Sequence, residues 1–290
     1  MSLPELKEFC FPENNGDVTD LLEKYQAGAL LVGGGTFVHG LEARGLLKGV
    51  QVLVNLRKLR LDVIEPEKGG VRIGASVTFA DLERMPGIES PAFGALRDAL
   101  DYPPVQISNL ATVGGSIAAS CPFFDVPAAF QALDGVIRIQ GASGSRQPQL
   151  HEFHTGLFQN TLAPGEYITS LFLPEQGNHS ASAYLKLETN ANDLALVGVA
   201  VRITVSRLGK CKDTRVVLGG GLNNKVVRSP AAELILNGAK PSDEVFQKAA
   251  ESINHDIDPI SDHRCSADYR AAMGRLLTRR ALHKVLERLA

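Results

Sequence analysis

The sequence predicts an α+β chain: two successive α/β blocks, then a C-terminal unit in which strands come first and helices follow. Three observations carry this. Short apolar strands and helix-period stripes alternate from Val18 to Leu173. From Ala183 onward the order changes to apolar strand candidates followed by helices, the signature of an α+β unit. Between these regions Glu175–Ser180 is polar and contains Gly177 and Asn178, which marks a boundary. With 290 residues, 44% of them hydrophobic, the chain can build two or three cores. The expected units are residues 1–58, 59–176 and 177–290.

In the first block Val18, Leu21, Leu22 and Tyr25 recur at helical spacing, with Asp17 placed to cap the first turn. Ala29–Val32 reads as a strand that stops at Gly33-Gly34-Gly35. Phe37, Val38 and Leu41 indicate a short helix, and Val50–Leu56 a strand. In the second block Val71, Ile73 and Ala75 alternate with Arg72 and Gly74. Thr78 is an N-cap for a helix over Phe79–Arg84, with Asp81 where the helix dipole favours an acid. Ser90-Pro91 opens a helix that runs towards Tyr102 and stops at Pro103-Pro104. A turn at Gly114-Gly115, a helix after Asp125, a strand at Val136–Gln140 and a strand at Tyr167–Leu173 complete the block. In the C-terminal unit the strands are Ala183–Leu187, Leu194–Val205 and Thr214–Leu218. The helices are Pro230–Leu236 capped by Ser229, Asp243–Ile253 capped by Ser242, and a long one from Ala267. Its apolar stripe is Met273, Leu276, Leu277, Leu282, Val285, Leu286 and Leu289.

Composition narrows the function classes. A net charge of -2 with 21% charged residues gives no basic face for nucleic acid, and the absence of Trp disfavours a base-stacking platform. No apolar run approaches the ~20 residues needed to cross a bilayer, so no membrane insertion is expected. Met1–Phe11 carries Pro4, Glu5 and Glu8 where a signal peptide needs a basic patch and an apolar stretch, which predicts a cytoplasmic chain. Cys10, Cys121, Cys211 and Cys265 are far apart, whereas iron–sulfur and zinc sites draw on closely spaced pairs. The seven histidines, His39, His151 and His154 among them, show no metal-ligand spacing and read as structural.

Two glycine segments carry the chemical signal. Leu31-Val32-Gly33-Gly34-Gly35-Thr36 and Thr112-Val113-Gly114-Gly115-Ser116 each contain adjacent glycines beside a hydroxyl. Glycine permits positive φ and removes the Cβ that would keep an anion from backbone N–H groups. Two such loops could clamp a pyrophosphate from opposite sides. Neither is a Rossmann fingerprint, since Val38 stands where the third glycine belongs. Gly219-Gly220-Gly221 before Leu222-Asn223-Asn224-Lys225 lacks Walker A spacing.

At these residues the chain resembles the FAD-binding medium subunit of the molybdenum-containing hydroxylases, the xanthine dehydrogenase and carbon monoxide dehydrogenase type. Gly33-Gly34-Gly35-Thr36 matches that family's first loop. Gln106-Ile107-Ser108-Asn109-Leu110-Ala111-Thr112-Val113-Gly114-Gly115-Ser116 follows its second, with Ser108 in place of Arg and Ser116 in place of Asn. The likeness continues through Arg72–Ala75, Asp125–Ala129, Gly165–Thr169, Tyr184–Lys186, Asp193–Val197 and Ser261–Arg270.

The resemblance implies two α/β FAD-binding subdomains of the PCMH type followed by a C-terminal α+β domain, with FAD extended between the first two. It implies that Val32, Gly33, Gly34, Gly35, Thr36, Phe37 and Val38, with Asn109, Ala111, Thr112, Val113, Gly114, Gly115 and Ser116, contact pyrophosphate and ribityl, mainly through backbone N–H groups. Asp125 would bond a sugar-chain hydroxyl, Ile168 would line the site through its backbone, and Lys186 would approach the isoalloxazine edge. On the residues alone Asp125 equally suits a helix N-cap, and Lys186 a solvated lysine. The partners implied are an iron–sulfur subunit, a molybdopterin-binding large subunit and an external electron acceptor, with NAD one candidate. The alternatives are a self-contained FAD-dependent oxidase of related fold and a flavin-free scaffold.

Overall fold

Three sheets follow one another along the chain in the computed structural model, which describes residues 3–191 and 193–290. The first is parallel. Glu8–Cys10 (β1), Ala29–Val32 (β2) and Val52–Asn55 (β3) lie in the order β1-β3-β2, connected through the helices Asn15–Tyr25 (α1) and Thr36–Ala43 (α2). Asp17 is not the cap of α1. Asn14 is, its side chain accepting from the Asp17 amide at 3.0 Å, while the Asp17 carboxylate accepts from the Glu13 amide. An Asx residue just outside the helix reaches the third amide, and one inside it does not. Val18 and Leu22 bury against Val52, Val54 and, from the second unit, Tyr167, whose hydroxyl donates to Asn15 Oδ1 at 2.7 Å.

The second sheet is antiparallel. Its strands are Ile64–Glu67 (β4), Gly70–Gly74 (β5), Val136–Gly141 (β6), Gly144–Arg146 (β7) and Tyr167–Pro174, in the order β4-β5, then Tyr167–Pro174, then β6-β7. His154–Gly156 (β8) and Gln159–Asn160 (β9) make a separate hairpin, so Tyr167–Pro174 is β10. The helices of this unit are Phe79–Leu82 (α3), Gly94–Leu100 (α4), Val105–Ser108 (α5), Val113–Ala118 (α6), Asp125–Ala132 (α7) and Leu150–Phe153 (α8). Thr78 caps α3 as expected, but the helix ends two residues early, and the segment opened by Ser90-Pro91 begins as a 3₁₀ turn before α4. Gly114-Gly115 is not a turn; it forms the first turn of α6.

The third sheet is Ser180–Leu187 (β11), Val197–Val205 (β12), Cys211–Gly219 (β13) and Val227–Arg228 (β14), antiparallel and in sequence order. Its two faces bury into different cores. Val197, Val199, Val201 and Ile203 pack against Pro230–Leu236 (α9), Asp243–Ser252 (α10) and Ala267–Leu289 (α11). Tyr184, Ala200 and Val217 face the core of the second unit. A period-two strand buried on both sides serves two layers at once. The buried line of α11 is Arg270, Gly274, Leu277, Thr278, Ala281, Leu282 and Val285; Leu276 and Leu286 fall beside it and are more than a third exposed. Caps at Ser229, Ser242 and Ser266 start the three helices. Among the described residues no helix is long and apolar enough to cross a membrane, and all four cysteines are free thiols.

Buried charges tie the third sheet to the second unit. Arg202 on β12 donates to Asp134 at 2.8 Å, Asp213 at 2.7 Å and Gln176 at 2.7 Å. Asp98 on α4 accepts from both Nη atoms of Arg288 at 2.8 and 2.7 Å and from the Tyr184 amide at 2.9 Å, with Lys284 Nζ 3.0 Å away. Burial alone would raise the Asp98 carboxyl; Arg288 and the Tyr184 amide outweigh it and hold it below its ordinary value. Removing one partner of such a pair strands the other charge. Asp98→Ala is therefore expected to cost about 3 kcal/mol or more in denaturant unfolding. Arg97→Ala, which breaks only the surface pair with Glu89, is expected to cost much less. Equal losses in the two variants would contradict the clamp.

Candidate functional site

The first glycine segment joins β2 to α2. Gly35 is the N-cap of α2 at φ 75°, a left-handed conformation that favours glycine. No side chain caps this helix, and the first amide to find a carbonyl is that of His39, on Gly35 at 2.9 Å. The amides ahead of it are the unpaired donors of a helix start. Although Phe37, Val38 and Leu41 are apolar, no residue of α2 is buried. Val32 and Gly34 through Val38 are half-buried, and Gly33 is exposed.

The second segment lies directly on the first. A Cβ on Gly34 would overlap the Leu110 carbonyl, and one on Gly33 would come within 2.5 Å of Thr112 Oγ1. On the far side, Gly114 packs so closely on Ala75 that a Cβ there would sit 2.6 Å from the alanine methyl. The glycines thus set the separation of two pieces of backbone. Asn109 is exposed and Ala111 buried. Ser108 donates to the Pro103 carbonyl at 3.3 Å and closes the turn of α5 locally.

The second segment does not present the row of free amides that the sequence reading expects. The Val113 amide donates to the Val77 carbonyl at 2.9 Å, Gly114 to Ala75 at 2.9 Å and Ser116 to Thr112 at 2.9 Å. The Gly115 amide donates to Thr112 Oγ1, the cap of α6. Packing α6 against the strand and bend at Ala75–Val77 uses these donors. The Ser116 hydroxyl of this segment is buried and has no hydrogen-bond partner.

Aromatic contacts lead from the first segment to a buried charge cluster. The Phe37 ring lies 5.6 Å from Phe124, edge to face, and 5.7 Å from Phe158. Phe124 is the N-cap residue of α7, and Asp125 follows as its first residue. Asp125 does not cap the helix. Its Oδ1 accepts from the Tyr184 hydroxyl at 2.7 Å and its Oδ2 from Lys186 Nζ at 3.2 Å. Lys186 is not a solvated lysine either. Its side chain is 2% exposed, with Nζ 3.1 Å from Glu188 Oε2 and 4.9 Å from the centre of the Tyr102 ring. Burial pushes the Asp125 carboxyl up to about 6, with Lys186 and Tyr184 pulling the other way. The Tyr184 hydroxyl is driven well above its ordinary value, chiefly by burial and then by the Asp125 charge.

Ile168 stands apart from this cluster. It is buried in β10 opposite Ile139, and its strand reaches the second segment through a relay: Thr169 accepts from the Ala75 amide, and Ala75 accepts from Gly114. The sequence reading missed Tyr102, Phe124, Phe158 and Glu188. Only Glu188 leaves a sequence signal, because Tyr184, Lys186 and Glu188 follow a period of two and so share one face of the β11 edge.

Residues 5–176 match the family model described as the FAD binding domain in molybdopterin dehydrogenase, and residues 182–285 match the CO dehydrogenase flavoprotein C-terminal domain. The chain belongs to the molybdopterin dehydrogenase FAD-binding family. It is 28% identical to the nicotine 6-hydroxylase medium subunit of Paenarthrobacter nicotinovorans, over 97% of this chain and 98% of that one. It is also 28% identical to the carbon monoxide dehydrogenase medium chain of Afipia carboxidovorans, over 99% of each. Its fold superposes on a chain of carbon monoxide dehydrogenase from Hydrogenophaga pseudoflava with a TM-score of 0.93, at 27% identity and full coverage of both chains. As in its family, the cofactor is FAD and the activity is that of an oxidoreductase subunit.

In this FAD-binding chain the contact between the glycine segments is open to direct test. Gly34→Ala forces a methyl against the Leu110 backbone, a misfit expected to cost about 1–3 kcal/mol and to loosen cofactor retention. Chemical denaturation and the flavin-to-protein absorbance ratio measure the two effects. A Gly34→Ala protein with unchanged stability and full flavin content would contradict the close approach.

Proposed function

We propose that this chain is the electron-transfer flavoprotein subunit of a molybdenum hydroxylase complex. In this reading it takes electrons from an iron–sulfur subunit, which is reduced by a molybdopterin-binding large subunit, and passes them to an external acceptor such as NAD. The observation that carries the reading is the uncapped start of α2 packed against the second glycine segment, with Phe37 leading from it to Asp125. The unpaired amides at a helix start suit a pyrophosphate. The incompletely covered apolar face of α2 suits a large planar cofactor laid across it.

Within this reading Gly33 to Val38 hold the pyrophosphate through main-chain donors, and Val32 ends the strand that aims them. Asn109, Ala111, Thr112, Val113, Gly114 and Gly115 act as the backing surface that fixes the first segment. Ser116 supplies a hydroxyl from within that surface. Asp125 and Lys186 meet the sugar chain and the ring edge, and Ile168 supports the site from the strand behind. Bound FAD supplies the conversion between single-electron arrival and two-electron departure. This chain's own residues bind and orient it and exclude water around the buried charges.

The relatives' names support the division of labour: a medium chain and a medium subunit over almost their full lengths. The isolated flavin-loaded chain should stay oxidised when mixed with purines, aldehydes or aromatic N-heterocycles. Its flavin should bleach once the iron–sulfur and molybdenum subunits are added with the complex's substrate. Heat-released cofactor should run as FAD. Rapid bleaching of the chain alone by such a substrate would overturn the subunit reading.

A further inference from the structure

Lys186 carries two carboxylates rather than one. Its ammonium lies 3.2 Å from Asp125 Oδ2 and 3.1 Å from Glu188 Oε2, and its side chain is 2% exposed. Glu188 Oε2 is itself buried and finds no aligned hydrogen bond, so it acts on Lys186 through charge. The groups facing this point come from every neighbouring element. Asp125 comes from α7 and Cys121 from the turn before it. Tyr184, Lys186 and Glu188 come from β11 and its end, and Tyr102 from the segment after α4. Asp98 on α4 bonds the Tyr184 amide from behind and is neutralised by Arg288. Arg264 acts on Cys121 by charge. With both carboxylates ionised, Asp125, Glu188 and the Lys186 ammonium together are net negative.

We propose that Glu188 is the positioning residue that sets the charge of this cluster: by sharing Lys186 with Asp125, it turns a neutral Lys186–Asp125 pair net negative beside the flavin edge. This rests on the reading that the flavin ring lies beside Lys186. Two carboxylates on one buried ammonium cannot both ionise as readily as one. Burial is the main cause of the upward displacement of Asp125; Lys186 and Tyr184 oppose it, and Glu188 adds a smaller upward push. The sign is fixed by that direction. Folded Asp125 holds its proton up to a higher pH than an unfolded carboxyl does. The stability tied to that proton is present below the ordinary carboxylate value and lost as pH rises through about 6. Without Glu188, the cluster would fall from net negative to the neutral Lys186–Asp125 pair, which disfavours the anionic reduced cofactor less.

The test is Glu188→Gln, with Glu188→Asp as the charge-conserving control. Two readouts are taken on the full flavin-loaded chain: the midpoint potential of the flavin at pH 8, and the pH titration of the Asp125 carboxyl by carbon NMR in labelled protein. The expected result is a higher potential together with an Asp125 titration shifted to lower pH in Glu188→Gln, both largely restored in Glu188→Asp. An unchanged Asp125 titration in Glu188→Gln would overturn the shared-lysine arrangement. A shifted titration with an unchanged potential would overturn the effect on the flavin, and would trace that failure to the placement of the ring beside Lys186. Loss of flavin with a normal titration would count against the proposal in the same way.

Discussion

The close approach of two backbone segments governs this molecule. Gly34 lies so near the Leu110 carbonyl that no side chain fits between them, and Gly33 rests on the Thr112 hydroxyl. Through that contact the small parallel sheet is docked on the second unit. A second contact, of α6 on Ala75 and Val77, decides which amides remain free. Those of the second segment are drawn into α6 and its packing against Ala75 and Val77, while those at the start of α2 are left without acceptors. One segment is a wall and the other a row of donors held against it. A clamp of two equivalent loops is not what these residues build.

The second requirement is that the buried charged groups stay paired. Tyr184 is the pivot. Asp98 accepts from its amide and Asp125 from its hydroxyl, so one residue of β11 is fixed at both ends. The Asp98–Arg288 pair brings the end of the long C-terminal helix into the same arrangement. Lys186, two residues along the strand, is positioned by the same framework. The C-terminal unit thus holds the Asp125–Lys186 cluster through a strand whose other face belongs to its own core.

Much of this was legible in the sequence, and the reasons differ by element. Ala29–Val32 and Pro230–Leu236 are found with the expected limits because apolar runs bounded by glycine, or opened by Ser-Pro, leave little choice of ends. The start of β12 at Val197 rather than Leu194 was not legible, since Leu194 and Ala195 are as apolar as the strand that follows. The apolar stripe of α11 is wider than its buried line because it includes every leucine of the helix, whereas the buried line takes in Arg270, Gly274 and Thr278. Arg270 is fully buried among the Ile260 carbonyl and Asp262 carboxylate just ahead of the helix and the Leu196 carbonyl, a partner remote in sequence. The glycine segments stood out from composition, but their unequal roles did not. Which amides are already bonded depends on Ala75 and Val77, some forty residues before α6.

The central proposal is that the free donors at the start of α2, and not those of α6, meet the cofactor. Amide hydrogen exchange compared between flavin-free and flavin-loaded protein tests it directly. Exchange at Gly34 through Val38 should slow strongly on FAD binding, while Val113 through Ser116, already bonded within the protein, should change little. Strong slowing at Val113–Ser116 with none at Gly34–Val38 would contradict the account.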